Sequence, residues 1–253
     1  MGTPASNEPG EAPVRLKNKL LRLIPETERQ RIWSISEQIE IRPRQVLHHW
    51  RLPMESVYFI ERGLVSVSAK VDDARFVEVW LTGSEGMIGA PLVLDEEDQN
   101  PPHRRVVQVG GVARHIPARD FAAVLPELPV LRKTILRYIN VVLLQTSQSG
   151  ACNSVHSIRQ RLARWLLVAC HGLESTDLPL THEVLAQLLG VRRASVTECL
   201  DAFESEGSIR IARRAINIRD EAALRSVCCD CFDLIDREYR RQMSRAPVLK
   251  GPK

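Results

Sequence analysis

The sequence predicts an α+β chain: a β-rich N-terminal half, one long helix, and a compact helical unit with a small hairpin at the C-terminal end. Three observations predict it. Short runs of alternating apolar residues fill the region up to residue 116, the apolar spacing switches to three and four from Glu127, and residues 180–218 spell helix, glycine turn, helix and hairpin.

Residues 1–15 combine Pro, Gly and Glu without an apolar core and are expected to form a disordered lead, not a secretory signal. Residues 17–33 read as amphipathic helix, with Leu20, Leu21, Leu23 and Ile24 ahead of Pro25 and a further turn through Arg31 to Trp33. Short strands are expected at 38–41, 45–47, 57–60, 64–69, 76–81, 106–109 and 113–116, with Pro43, Pro53, Gly63, Asp72, Asp73 and Gly83 as turn chemistry between them. Such regular punctuation suggests a jelly-roll-like β-roll over 16–126. Adjacent strand residues face opposite ways, so His48 and His49 are not expected to share a metal ion.

Over 127–150, Leu131, Ile135, Tyr138, Val142, Gln145 and Ser149 form one helical stripe, and Leu136, Ile139 and Leu143 form a second. One stripe can cover the roll while the other meets a partner helix, so this segment is expected to be a dimerisation helix. A further helix over 154–170 opens a unit spanning 151–225, and residues 226–253 are expected to add a helical extension and tail.

Within that unit, Thr181 is placed to N-cap a helix bearing Val184, Leu185, Leu188 and Leu189, with Glu183 at its positive end. Gly190 permits the turn. A second helix from about Arg193 turns Val196, Leu200 and Phe203 inward and leaves Arg193, Ala194, Thr197, Glu198 and Asp201 outward. Gly207 ends it, and Ile209, Ile211, Ile216 and Ile218 alternate around the tip Arg213-Arg214. This is the pattern of a winged helix-turn-helix.

These residues resemble the Crp/Fnr superfamily of bacterial transcription regulators, most strongly in the C-terminal third, and 58–69 (YFIERGLVSVSA) resembles the family's cyclic-nucleotide-binding-like roll. The resemblance implies a homodimer that reads a two-fold-symmetric operator in double-stranded DNA, with RNA polymerase as a further partner if binding activates transcription; with neither a secretory signal nor a membrane span expected, the protein is expected in the cytoplasm. The family's base- and phosphate-contacting positions fall on Arg193, Ala194, Ser195, Thr197 and Glu198. Arg193 suits bidentate bonding to guanine, Ser195 and Thr197 suit phosphates or bases, and Glu198 can accept from cytosine. Thr181, Arg192, Arg213 and Arg214 suit backbone contacts. Ala194 stands where an acidic residue is common and Glu198 where an arginine is common, so the family's usual operator is not expected.

In relatives that bind cyclic nucleotides, a glycine and a glutamate hold the ribose, and an arginine beside a small hydroxyl residue holds the phosphate. Here the matching positions are Gly89, Ala90, Arg105 and Val106. Ala90 removes the ribose acceptor and Val106 the hydroxyl, and the acidic run 95–98 would repel phosphate, so cyclic AMP is not the expected effector. The sequence names no other effector.

Lys and Arg total 35 against 31 acidic residues, too small an excess to identify a nucleic-acid partner by composition. Arginines crowd 159–164, 192–193, 210–214 and 237–245, a pattern that solvated helix faces produce as readily as DNA sites. No 18-residue apolar run is present, so no membrane span is expected. GxSxG, HExxH and Gly-rich phosphate loops are absent, so neither catalysis nor a cofactor is expected. Cys228, Cys229 and Cys231 lack CxxC spacing and a second ligand pair, and read first as packing thiols, with redox sensing or metal binding as the alternative. Cys152 and His156, four apart on a helix, could share an ion, but two ligands do not make a site, and no metal is expected. The iron–sulfur cysteines of some relatives lie near the N-terminus, whereas none here precedes Cys152. The alternative function is an effector-binding or protein-interaction module whose winged helix docks a protein.

Overall fold

The computed structural model describes residues 16–73, 75–94 and 100–244. The expected lead, the acidic run 95–98 and Arg245 lie outside the described residues. The N-terminal helical stretch is divided in two, α1 (Lys19–Arg22) and α2 (Glu26–Ser34), because Pro25 lacks an N–H and bars the helical conformation at Ile24.

The roll consists of β1 (Glu37–Ile41), β2 (Val46–His48), β3 (Ser56–Lys70), β4 (Phe76–Thr82), β5 (Met87–Ile88) and β6 (His103–Pro117), with the short α3 (Pro91–Leu94) before β6. All pairings are antiparallel, in the order β1-β6-β3-β4, with β2 also on β6 and β5 also on β3. Two expectations are corrected here. The segments 57–60 and 64–69 are one 15-residue strand, and 106–109 and 113–116 are another. Gly63, at φ 109°, makes a bulge and not a turn: the β3–β6 register shifts around it, and a Cβ there would lie 2.7 Å from the Val109 carbonyl. A Cβ on Gly111 would meet the Arg62 carbonyl at 2.2 Å, so the two backbones cross where only glycine fits.

After α4 (Ala118–Val124) and a short 3-10 turn comes α5 (Pro129–Val155), 27 residues long. It runs five residues beyond the expected end at 150. Its first free amides are held by the buried carboxylate of Glu28, which accepts from Val130 and Leu131 at 3.0 and 2.7 Å and places negative charge at the helix's positive end. Leu131, Ile135 and Tyr138 pack on the roll with Phe59, Phe121 and Leu20. The helix stops at His156, which is extended, and Ser157 with Gln160 forms a capping box that starts α6 (Ile158–Leu173).

The C-terminal unit continues with β7 (Asp177–Leu178), α7 (His182–Leu189), α8 (Arg193–Ser205), β8 (Ile209–Ala212), β9 (Ala215–Ile218), α9 (Glu221–Val227) and α10 (Cys231–Met243). Its core joins Leu162, Trp165, Leu185, Leu200, Phe203 and Ile216 to Leu64, Leu81 and Val109 of the roll. Gly83 opens the turn expected there, its carbonyl accepting from Gly86 N–H at 3.1 Å, and is also a join between the two halves: a Cβ on it would lie 2.3 Å from the Gly172 carbonyl, which accepts from Ser84 N–H at 3.1 Å. The expected helical extension is α10, which lies along α5, with Tyr239 donating to the Glu85 carbonyl at 3.2 Å and Met243 entering the roll core, while residues 245–253 lie outside the described residues. Among the described residues no helix is long and apolar enough to cross a membrane.

Candidate nucleic-acid interface

Local chemistry fixes both helices of the helix-turn-helix. Thr181 N-caps α7, its hydroxyl accepting from Val184 N–H at 3.3 Å. Gly190 at φ 66° closes the helix, with Val191 N–H returned to Ala186 and Gly190 N–H to Gln187. Gly207 at φ 77° repeats this motif after α8, with Ser208 N–H on Phe203 and Gly207 N–H on Glu204. Val196, Leu200 and Phe203 have no exposed surface, so the orientation of α8 about its own axis is set by packing. Arg193, Ala194 and Glu198 are exposed on its outer face, Ser195 and Thr197 are half-buried beside them, and Arg192 stands at the N-cap position.

Thr197 is not free as the sequence suggested. Its hydroxyl lies 3.0 Å from Nδ1 of His182, which ties the start of α7 to the reading face of α8. His182 was missed by sequence reasoning, because its relation to Thr197 exists only across the turn. Thr181, likewise, has its hydroxyl engaged by the cap.

The structure sorts the arginines that composition could not. Arg159 pairs with Glu206 at 2.6 Å and lies over the Phe203 ring, Arg161 donates to the Leu189 carbonyl at 2.8 Å, and Arg164 is buried. Arg240 and Arg241 pair with Asp236 and Glu238. By contrast Arg192, Arg193, Arg210, Arg213 and Arg214 are exposed and make no ion pair among the described residues. These five lie at the start of α8 and on the β8–β9 hairpin. Arg214 holds φ 62° at the hairpin tip, where glycine would be unstrained.

The roll positions matched to a nucleotide site are also placed. Gly89 has φ 115°, and a Cβ there would meet Val57 at 2.8 Å. Ala90 packs against the roll core. Arg105 is 1% exposed, donates to the His103 carbonyl at 2.8 Å, and has its other terminal nitrogen without a partner among the described residues. Burial brings its pKa down to about 10. Across the β2–β6 pairing, burial and then the Arg105 charge push His48 down to about 4, while His49 is exposed on the other face, as alternation requires. Val106 leaves that strand position without a hydroxyl.

Where the roll meets the C-terminal unit, Trp165 donates its indole N–H to Glu78 at 2.7 Å. The second carboxylate oxygen of Glu78 is enclosed without a partner, and burial pushes this carboxyl up to about 7 against the opposing effects of the Trp165 bond and Arg164.

Residues 160–227 match the Crp-like helix-turn-helix domain. The chain is 24% identical over 179 residues to a global nitrogen regulator of Nostoc sp., covering 68% of this chain and 80% of that protein. It is 25% identical over 180 residues to a CRP-like cAMP-activated global transcriptional regulator of Mycobacterium tuberculosis, covering 68% and 79%. Among solved structures, FixK2 of Bradyrhizobium japonicum superposes with a TM-score of 0.64 at 14% identity, covering 77% of this chain and 98% of that one. The c-di-GMP responsive regulator CLP of Xanthomonas campestris gives 0.60 at 18% identity, covering 75% and 96%. With a roll, a long connecting helix and a helix-turn-helix in the same order, the chain has the fold of Crp/Fnr regulators, and the Crp-like helix-turn-helix domain over residues 160–227 makes it a DNA-binding transcription regulator.

Proposed function

We propose that the protein binds duplex DNA as a homodimer, with α8 of each copy in the major groove of one half-site and the β8–β9 hairpin on the flanking phosphates. The observation that carries this reading is the gathering of unpaired, exposed arginines at the start of α8 and on the β8–β9 hairpin, with Arg219 just after it, while Arg159, Arg161, Arg164 and Arg225 are engaged in ion pairs, a helix-end carbonyl or burial. Arg193 reads a base. Arg192, Arg213 and Arg214 hold the backbone, Glu198 and Ser195 flank the base reader, and His182 holds Thr197 in place.

Selection of bound duplexes from a random pool tests the reading, the expected result being an enriched two-fold-symmetric sequence. On that sequence Arg193→Ala is expected to cost about 1 to 3 kcal/mol and to relax preference at one position per half-site. Equal weakening on every duplex contradicts base reading, and affinity indifferent to salt contradicts phosphate contact altogether.

The dimer face we infer is the stripe Leu136, Asn140, Leu143, Ser147, Gly150 and Ser154 on α5, spaced four, three, four, three and four. Leu143 is 61% exposed although apolar, and Gly150 interrupts a helix with nothing within 4 Å of the position its Cβ would take. A mid-helix glycine costs about 1 kcal/mol relative to alanine. Close approach of a second copy of α5 accounts for both features, and Asn140 would fix the register of the pair. Leu143→Asp is expected to give a folded monomer by light scattering with operator affinity lowered at least tenfold. A dimer of wild-type strength places the interface elsewhere.

The roll is the part that would receive a signal. The Mycobacterium tuberculosis relative is described as cAMP-activated, but here Ala90 and Val106 withhold the ribose acceptor and the hydroxyl of the anion cradle, so operator binding is expected not to require cyclic AMP.

A further inference from the structure

The two cysteine groups that looked incomplete in the sequence complete each other in the fold. Cys152 and His156 lie one turn apart at the end of α5, and Cys229 and Cys231 flank the start of α10. Their ligand atoms all fall within 4.8 Å of one another. We propose that Cys152, His156, Cys229 and Cys231 form a tetrahedral zinc site that binds the end of α5 to the start of α10.

Two of the six ligand spacings are already those of a coordination shell, and the rest lie within 4.8 Å. Zinc bonds of about 2.3 Å to sulfur and about 2.0 Å to nitrogen hold tetrahedral ligands about 3.5 to 3.8 Å apart. The Cys152 and Cys229 sulfurs are 3.6 Å apart, and the Cys231 sulfur is 3.6 Å from Nδ1 of His156. The same 3.6 Å is far from the roughly 2.05 Å of a disulfide. Cys228 is excluded from the set, because its thiol is directed to the Cys229 carbonyl at 3.2 Å.

The surroundings fit thiolates better than packed thiols. Gln148 donates its amide N–H to the Cys231 sulfur at 3.1 Å, an outer bond of the kind that orients a metal ligand. Arg164 is 7% exposed beside this cluster, with one weak bond to the Ser149 hydroxyl at 3.4 Å, Nε unpartnered and no ion pair among the described residues. Three thiolates and a neutral imidazole around a divalent ion carry a net charge of −1, which this guanidinium balances. Zinc binding releases the protons of the three thiols to solvent and involves no redox step.

The site lies beside the break at His156 and Ser157, where the connecting helix ends and the DNA-binding unit begins. With α10 running back to the roll, the ion would fasten that break from the side.

The test is metal analysis of the full-length protein purified under reducing conditions, followed by cobalt(II) titration after chelation. About one zinc per chain is expected, and cobalt should give the intense visible bands of a tetrahedral thiolate site. Cys229→Ser and Cys231→Ser are expected to lose stoichiometric metal, whereas Cys199→Ser and Cys228→Ser retain it. His156→Cys, which keeps a ligand, should bind cobalt with sulfur-to-metal absorption raised by about a third, as four thiolates replace three. Wild-type protein that carries no zinc and gives cobalt only the weak spectrum of the hydrated ion overturns the proposal. So does a metal-free Cys152–Cys229 disulfide, and so does iron with acid-labile sulfide.

Discussion

Replacing Phe203 by alanine is expected to lower the stability of the DNA-binding unit by about 3 to 5 kcal/mol, the range for deleting a buried aromatic ring. Phe203 has no exposed surface, lies on the inward face of α8 with Val196 and Leu200, and is covered by the Arg159 guanidinium 4.9 Å from its ring centre. The cavity has little means of closing, because both ends of α8 are fixed by glycine-terminated helix ends and Arg159 is held by Glu206. For a domain whose total stability is of order 5 to 15 kcal/mol, this leaves little in reserve. Operator binding should fall with the fold of α8, while the first half of α5 and the part of the roll around Phe59 and Phe121, which belong to a different core, keep their protection. Hydrogen exchange across residues 193–218 reads the effect directly. A loss under about 1 kcal/mol with unchanged exchange would mean that the inward face of α8 is not packed as described.

The second large effect depends on pH. The Glu78 carboxyl, pushed by burial from an ordinary 4.5 to about 7, binds its proton more tightly in the folded chain than in the unfolded one. Well below 4.5 both states hold the proton and the group adds no pH dependence. As pH rises the unfolded state ionises first, so stability falls progressively until the folded carboxyl ionises near 7, and then levels off. An offset of this size corresponds to roughly 3 kcal/mol. Glu78→Gln keeps a carbonyl oxygen for the Trp165 indole and removes the ionisation. The variant should match wild type near pH 4 and exceed it by roughly 3 kcal/mol at pH 8 in urea denaturation followed by tryptophan fluorescence. Parallel stability curves for the two proteins would refute an ionising Glu78. Because Glu78 is on the roll and Trp165 on α6, the same ionisation weakens the junction between the two halves as pH rises.

The helix-turn-helix was legible because its determinants are local. Caps, glycines and an apolar face at steps of three and four lie within a few residues of each other, and Thr181, Gly190 and Gly207 do what their neighbours imply. The roll was legible only in outline. Gly63 and Gly111 carry the residue type of a turn, yet the feature that decides their role is a carbonyl on a strand many positions away. The arginine runs were ambiguous for the same reason: Arg161 is occupied by a carbonyl of α7 and Arg159 by Glu206, partners that no local pattern discloses. Cys152 and Cys229 are 77 positions apart, and each half of the cluster looked incomplete until α10 folded back along α5.

The tip of the β8–β9 hairpin sets two demands on one residue. Arg214 keeps a left-handed backbone that costs a side-chain-bearing residue on the order of 1 kcal/mol, and glycine would relieve that cost while deleting a positive charge from the tip. Heat tolerance and grip on the operator therefore pull this position in opposite directions. Laboratory evolution for thermal resistance alone, with no transcriptional output to preserve, would drift toward glycine there and leave behind a sturdier protein that holds its promoters less well.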